Sequence, residues 1–373
     1  MLPAAVPLSF AAPAAPAGFS EYDFLLVGHG LAGALLGWEL RRRGHRVLIY
    51  DAPQPDSASN VAAGLMNPVA GKRFALSWRA AELLPAAAAA YRALEAEFGH
   101  PFFFEKPIFK VFGSAQEQQD IVAKSAAQPW EDFVAGIDTT DPQVAGLRAP
   151  FGGVWLRRGG HVAVAALLAA LSAQGRAAGW LRPETFNWNA LVSDAAGVIY
   201  APGRLRAARV VCCEGAAAVH NPYFNWLPLT PNQGEVLDVE CAGLSAAQVL
   251  NRGAYVLPLG AGRFRVGATY KWPPFAAGPT PEGEQELSAR LAALTDQPFR
   301  VRGRRAGVRP AVRDRRPLLG AHPAVPWLSF CGGYGSKGVM LAPRLAALLA
   351  DWLETGAPLW PEADVRRYYG FYK

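Results

Sequence analysis

The sequence predicts an α/β protein in which a parallel-sheet domain with a βαβ start is interleaved along the chain with an antiparallel-sheet α+β domain. Three observations predict it. Residues 24–51 read as strand, glycine turn, helix and strand. Period-two apolar alternation over 256–266 and the aromatic run FEKPIFKVFG read as antiparallel strands lying between other parts of the first domain. A chain of 373 residues, 51% hydrophobic and 18% charged, is long for one core and globular in composition, which favours two domains.

The opening element is DFLLVGHGLAGALLGWELRRRGHRVLIYDA, with strands at Phe24–Val27 and Val47–Tyr50 around one helix. Gly28, Gly30 and Gly33 have the G-x-G-x-x-G spacing, and Asp51 closes the second strand 23 residues after Gly28 (51 minus 28). Each residue has a task. Gly28 permits the tight exit from the strand, Gly30 lets backbone approach a pyrophosphate, and Gly33 lets helix pack on strand. The amides of the turn and first helical residues, Leu31 and Ala32 among them, face the phosphates. Asp51 accepts from ribose hydroxyls, which favours an unphosphorylated adenosine such as that of FAD or NAD. His29 reads as a bystander, and Arg41, Arg42 and Arg43 as charges opposing the helix dipole.

A net charge of +7 suits an anionic partner but is spread over a large surface. Cys212, Cys213, Cys241 and Cys331 form no CxxC pair and read as reduced core thiols of a cytoplasmic protein. No zinc spacing or internal repeat occurs, and no metal is expected. The start, MLPAAVPLSFAAPAAPAGFSEYD, is apolar and proline-rich without a basic region, so residues 1–20 are expected to be a flexible tail. No run of about 18 apolar residues occurs, and no membrane span is expected. In the last helix Pro343 is expected in the first turn, Leu345, Leu348, Leu349 and Trp352 make the apolar stripe, and Gly356 caps the end.

After Asp51 the chain continues with SASNVAAGLMNPVAGKR and the alanine-rich WRAAELLPAAAAAYRALEAEFG, where a nicotinamide enzyme usually has its second mononucleotide half. Here it resembles the D-amino-acid oxidase superfamily of flavoproteins, which includes glycine oxidase and sarcosine oxidase. Further segments carry the resemblance in the family's order: GGHVAVAALLAALSAQG, ARVVCCEGAAA, AYVLPLGAGRFRVGATY, AGVRPAVRDRRPLLG and GGYGSKGVMLAP. It spans about residues 22 to 356. The resemblance implies a Rossmann-type, glutathione-reductase-like FAD-binding domain at 21–98, 154–224 and 306–373, and an α+β substrate domain at 99–153 and 225–305.

It also implies site residues. Ser57, Ser59, Gly64 and Met66 match a loop near the flavin, Val162 the adenine end, and Gly215 with Ala216 the turn beneath the pyrophosphate. Gly333, Gly335, Ser336, Lys337, Gly338 and Val339 match the closing motif before the last helix, whose amides and a cation such as Lys337 would stabilise reduced flavin. Arg309, in the family's G-x-R-P pattern, is the expected anchor for a substrate carboxylate, stiffened by Pro310. Tyr255 matches a tyrosine near that carboxylate, and Tyr270 a pocket-lining side chain, the two on neighbouring strands of one hairpin. Gly307 stands where sarcosine oxidase has the cysteine that holds its flavin covalently, so FAD is expected to be non-covalent.

The implied function is oxidation of the C–N bond of a small amino acid or N-substituted glycine by hydride transfer to FAD, with O2 as acceptor. Two alternatives stay open. The GSKG after GVRxxxRDxxPLLG is similar to the oxidoreductase that removes a carboxymethyl group from a modified tRNA uridine, with the arginines of 300–316 as phosphate contacts. The other alternative is a flavin-binding or electron-transfer protein with no amine substrate.

Overall fold

The structure is a computed structural model that describes residues 18–372 other than 53, 55, 72, 73, 195 and 196. The expected tail therefore lies outside the described residues up to 17, while Ser20 already belongs to a strand. In chain order the elements that position the site are β1 (Ser20–Val27), α1 (Leu31–Arg42), β2 (Val47–Tyr50), β3 (Leu65–Met66), α2 (Ala80–Phe98), β4 (Phe103–Glu105), β5 (Gly160–Val162) and α3 (Val164–Ala177). They continue with β6 (Leu205–Cys212), β7 (Asn232–Glu240), β8 (Ala254–Gly260), β9 (Arg263–Gly267), α4 (Pro281–Ala292), β10 (Arg300–Arg309), β11 (Leu318–Ala321), β12 (Leu328–Gly332) and α5 (Gly338–Thr355).

The chain divides into two compact units, 1–60 with 165–231 and 309–373, and 61–164 with 232–308. These borders differ from the expected ones. Residues 61–98 and 154–164 fall in the second unit because β3, β5 and β4 form their own three-stranded sheet, with α2 packed on β4. Residues 225–231 fall in the first because Leu229 bridges Val312 and Thr230 N donates to Ala311 O (2.7 Å). Residues 306–308 belong to the second as the end of β10.

In the first unit the sheet runs Leu181–Arg182, β2, β1, β6, Gly197–Tyr200 and Leu191–Asp194, with β12 also pairing β6. β1, β2, β6 and β12 are parallel, with Val27 level with both Tyr50 and Cys212, and Cys212 level with Phe330. The residues that follow these strands, Gly28, Asp51, Cys213 and Gly333, therefore leave from one edge, the carboxyl edge. Continuous apolar runs explain why these strands are central: Leu25, Leu48, Val210, Cys212, Leu328 and Phe330 are all fully buried. β1 begins at Ser20, four residues before the apolar run, because Ser20–Tyr22 stay in register with Leu205–Ala207.

Helices α1 and α5 pack together in parallel. At their N-terminal ends a Cβ on Gly338 would stand 3.5 Å from Leu31 Cδ2. At their C-terminal ends Arg43 pairs with Glu39 (2.8 Å), Asp351 (2.8 Å) and Glu354 (2.6 Å). The expected stripe is present, with Leu345, Leu348 and Leu349 buried, and Gly356 is the C-cap. Pro343 is not in the first turn, since the helix opens at Gly338 and places it in the second.

The second unit holds an eight-stranded sheet in the order β10, β7, β9, β8, Val249–Arg252, Ile108–Val111, Gly153–Leu156 and Val134–Asp138. β7, β9 and β8 are successively antiparallel. β10 is an edge strand. The run FEKPIFKVFG divides between two sheets: Phe104 and Glu105 end β4, and Ile108–Val111 joins the large sheet. α4 packs on β7, burying Leu287 and Leu291. Among the described residues no helix is long and apolar enough to cross a membrane.

Arg43 shares Glu39, a carboxylate 5% exposed on α1, with Arg42 and is the arginine that also reaches α5. Replacing it by methionine removes three ion pairs and leaves Glu39 to Arg42 and Glu354 to His45, so Arg43→Met should lower stability by about 1 to 2 kcal/mol. Urea unfolding of both proteins at neutral pH checks this.

Candidate active site

The site is built from the carboxyl edge of the parallel sheet. Gly28 leaves β1 with φ +104, a conformation that side chains rarely adopt, and a Cβ there would stand 2.5 Å from Cys213 O. A Cβ on Gly33 would fall on the Gly28 carbonyl oxygen, far inside van der Waals contact, so α1 can lie against the turn only with glycine there. Gly30 is the N-cap of α1 and has no side-chain cap of its own. Ser59 supplies one instead, its Oγ accepting from Leu31 N at 3.0 Å.

Asp51 follows β2, and its Oδ1 accepts from His29 N at 2.7 Å. That bond ties the second strand's acid to the glycine turn. Burial pushes its carboxyl up, opposed by the His29 amide. The His29 side chain is buried near Ser172 Oγ (3.3 Å) and Trp180 on the other side of the turn. Burial, then the Arg176 charge, lowers its pKa to about 4, so it is neutral at pH 7 and a packing group, as expected.

Cys213 and Glu214 follow β6, and Gly215 opens a 3-10 turn (Gly215–His220) with open space on its Cβ side. Sequence reasoning missed Glu214. Its carboxylate accepts from Trp188 Nε1 (3.0 Å) and Asn221 Nδ2 (2.6 Å), and also from Cys212 Sγ, and so fixes this turn. An acid beside a glycine at the end of a buried strand was the available signal.

The last contributor is the loop after β12. Gly333 packs against Val312, and Gly335 N donates to Pro310 O at 3.0 Å. Ser336 is exposed, Lys337 is the N-cap of α5, and Gly338 with Val339 begins the helix. Burial lowers the Lys337 pKa to about 8. Gly28, Gly30, Leu31, Ala32, Gly33, Asp51, Ser59, Gly215, Gly333, Gly335, Ser336, Lys337, Gly338 and Val339 all belong to the carboxyl side of the first unit. Arg309 is half-buried at the end of β10, one residue from the Pro310–Gly335 hydrogen bond.

The remaining expected residues lie in the second unit. Gly64 O accepts from Val162 N (2.9 Å), and Met66 is level with Gly160, so Gly64, Met66 and Val162 meet in the three-stranded sheet. Tyr255 on β8 is level with Gly267 on β9, with its hydroxyl lying over that glycine. Tyr270 is not on the neighbouring strand. β9 ends at Gly267, where the chain turns to pair with Gln233, and Tyr270 is 54% exposed beyond it.

Two helix N-termini, a backbone turn that excludes side chains and a carboxylate at its mouth form a cradle for a dinucleotide. The sequence profile described as "DAO: FAD dependent oxidoreductase" matches residues 23–352. The chain belongs to this family. Glycine oxidase of Geobacillus kaustophilus (strain HTA426) is 27% identical over 355 residues, covering 90% of this chain and 93% of that protein. A crystal structure of glycine oxidase from Geobacillus kaustophilus superposes with a TM-score of 0.75 at 26% identity, over 93% of this chain and 98% of that one. The tRNA 5-methylaminomethyl-2-thiouridine biosynthesis bifunctional protein of Azoarcus sp. (strain BH72) is 28% identical over 403 residues, 94% of this chain and 59% of that protein. The protein is thus an FAD-dependent oxidoreductase, and by their chemistry the Gly28–Gly33 turn would hold the pyrophosphate of FAD and Asp51 the ribose.

Gly33→Ala should be purified without visible flavin absorbance. Asp51→Asn should fold but bind FAD roughly 10- to 100-fold more weakly, the loss of one charge-assisted hydrogen bond. Titrating the apoproteins with FAD and following its fluorescence measures both.

Proposed function

We propose that the protein oxidises the carbon–nitrogen bond of a small amino acid or an N-substituted glycine. The observation that carries this reading is the placement of Arg309. Its neighbour Pro310 is hydrogen-bonded to Gly335 in the loop that opens α5, so a permanently charged, planar guanidinium is tied to the cofactor loop one residue away. Such a group pairs with both oxygens of a carboxylate. The names of the relatives at 27% and 26% identity support an amino acid as substrate.

When bound, FAD supplies the acceptor for the hydride that leaves the carbon beside nitrogen. The chain binds and orients. Arg309 holds the carboxylate and so fixes the position of the α-carbon. An amine that arrives neutral needs no protein base. It leaves as an imine, which water hydrolyses, and dioxygen is the proposed final acceptor. Gly307, in place of a cysteine, leaves FAD without a covalent link at that position. Lys337 and the first amides of α5 offer positive charge where the reduced cofactor gains electrons.

A second reading, removal of a carboxymethyl group from a modified tRNA uridine, rests on the relative that is 28% identical over 94% of this chain. It uses the same Arg309. Its phosphate contacts are a harder case, because Arg302, Arg304 and Arg305 are engaged by Glu240, Glu284 and Asp238. Salt-sensitive tRNA binding that neutral substitutions of these arginines weaken would favour it.

Arg309→Ala should lower kcat/KM for sarcosine and glycine about 100-fold while keeping bound flavin, the cost of losing one partner of a charged pair. Steady-state rates and the visible spectrum of the same preparation test both halves. Because the Lys337 pKa is lowered to about 8, its charge is present below that pH and lost above it. The rate should therefore fall above about pH 8, Lys337→Arg should move that limb to higher pH, and Lys337→Met should remove it. A pH profile of the three proteins decides.

A further inference from the structure

Aromatic side chains collect at the amino end of β12, the end away from the Gly333 loop. His322 N donates there to the carbonyl of Leu328, the residue that opens the strand (2.8 Å). Around His322 lies a cleft of about 430 Å³, lined chiefly by Tyr223, Asn225, Trp226, Phe371 and Tyr372 besides His322 itself. Small-molecule sites occupy roughly 300–1,000 Å³. All of these residues belong to the first unit, and among the described residues no lysine, arginine, aspartate or glutamate lines the cleft.

Hydrogen bonds to backbone fix the walls. Tyr223 N donates to Asn221 Oδ1 (2.9 Å), and Tyr223 O accepts from Trp226 Nε1 (2.7 Å). His322 Nδ1 accepts from Ala324 N (3.2 Å). Burial lowers the His322 pKa, opposed by a hydrogen bond to the Tyr223 backbone, so the ring is neutral at pH 7. The 3-10 turn Val365–Phe371 brings the third wall: Tyr369 Oη donates to Ala321 O (2.9 Å), and Tyr369 O accepts from Tyr372 N (3.1 Å).

Three of the rings stand nearly square to one another. Trp226 and His322 are 76° apart, Trp226 and Tyr372 72°, and His322 and Tyr372 85°, with centroids separated by 6.2, 5.8 and 4.9 Å. Phe371 is 51% and Tyr372 39% exposed, so the cluster opens to water and is not a closed core. Aromatic faces are negative and attract cations, tryptophan most strongly. The indole and imidazole nitrogens are already bonded within the protein. An ammonium carrying hydrogens would therefore give up water hydrogen bonds that these two rings do not replace. A quaternary ammonium has no N–H to strip and presents methyl groups to the rings.

We propose that this cleft binds a quaternary ammonium group, at a site separate from the cofactor cradle and independent of the amine that is oxidised. The test titrates the FAD-loaded full chain with choline and with its neutral analogue, carbon in place of nitrogen, following broadening of the ligand's methyl resonance. Choline should bind, and the neutral analogue should bind about tenfold more weakly, because only the cation gains from the ring faces. Trp226→Ala should weaken choline about tenfold, Trp226→Phe should recover most of that loss, and both should keep the native flavin spectrum. Tyr372→Ala, at an exposed position, should also weaken choline and serves where Trp226→Ala loses its flavin. No broadening of choline, equal affinity for the two ligands, or choline binding unchanged in the Trp226 and Tyr372 variants would overturn the proposal.

Discussion

A helix can approach a strand only as closely as the atoms between them allow, and at Gly33 and the Gly28 carbonyl there is room for no side chain. That backbone contact sets where α1 begins. From it follow the open amides at the helix start, the Ser59 cap on Leu31 and the hydrogen bond from the His29 amide to Asp51. The same turn rests on Cys213 backbone, so β6 must leave the sheet level with β1. α5, parallel to α1 and locked to it at the far end by Arg43, then brings a second helix N-terminus to the same side. Positive backbone ends and a carboxylate at fixed separation are thus products of one steric constraint, and both halves of a dinucleotide need them.

The arginine-rich run 300–316 reads differently once its strand is known. Arg300–Arg309 is an edge strand of the large sheet, where unpaired backbone invites another chain to add on. Charged side chains block that. Arg302, Arg304 and Arg305 meet Glu240, Glu284 and Asp238, and Asp238 is shared with Arg265. Asp314 serves the turn after the strand, accepting from Arg316 N and Arg367 Nε. Arg309 differs from its neighbours because the adjacent Pro310 accepts from Gly335 in the loop that opens α5, and no member of the run is distinguished by charge alone.

Legibility followed the range of the physics. The βαβ start was readable because every requirement is local: apolar strand, glycine spacing, helix, acid. The strand Val47–Tyr50 and the Gly356 cap are found where expected. Domain borders were not readable, because residues 61–98 join the second unit through β3, β4 and β5, strands of two or three residues whose pairing is long-range. Glu214 was missed for a related reason, since its partners Trp188 and Asn221 are brought to it by the fold. The hairpin spacing would put Tyr270 on a strand beside Tyr255, but β9 stops at Gly267, and where a strand stops is set by pairing rather than spacing.

The segment after β9, where Lys271 pairs with Gln233, depends on a charge that would be costly by itself. Glu235 is 1% exposed. Burial alone would push its carboxyl up, but the Thr280 amide and hydroxyl and the Lys271 ammonium outweigh burial and hold it below the usual range. A group depressed in this way adds stability above its unfolded pKa, about 4.3, and loses it as pH falls through the folded value. One carboxylate therefore does three things: it fixes Thr280 as the cap of α4, whose Oγ1 accepts from Gly283 N, it turns Lys271 inward, and by alternation it turns Tyr270 and Trp272 outward. A neutral residue at 235 would leave Lys271 without its anion, held only by the Thr280 hydroxyl and its backbone pairing with Gln233.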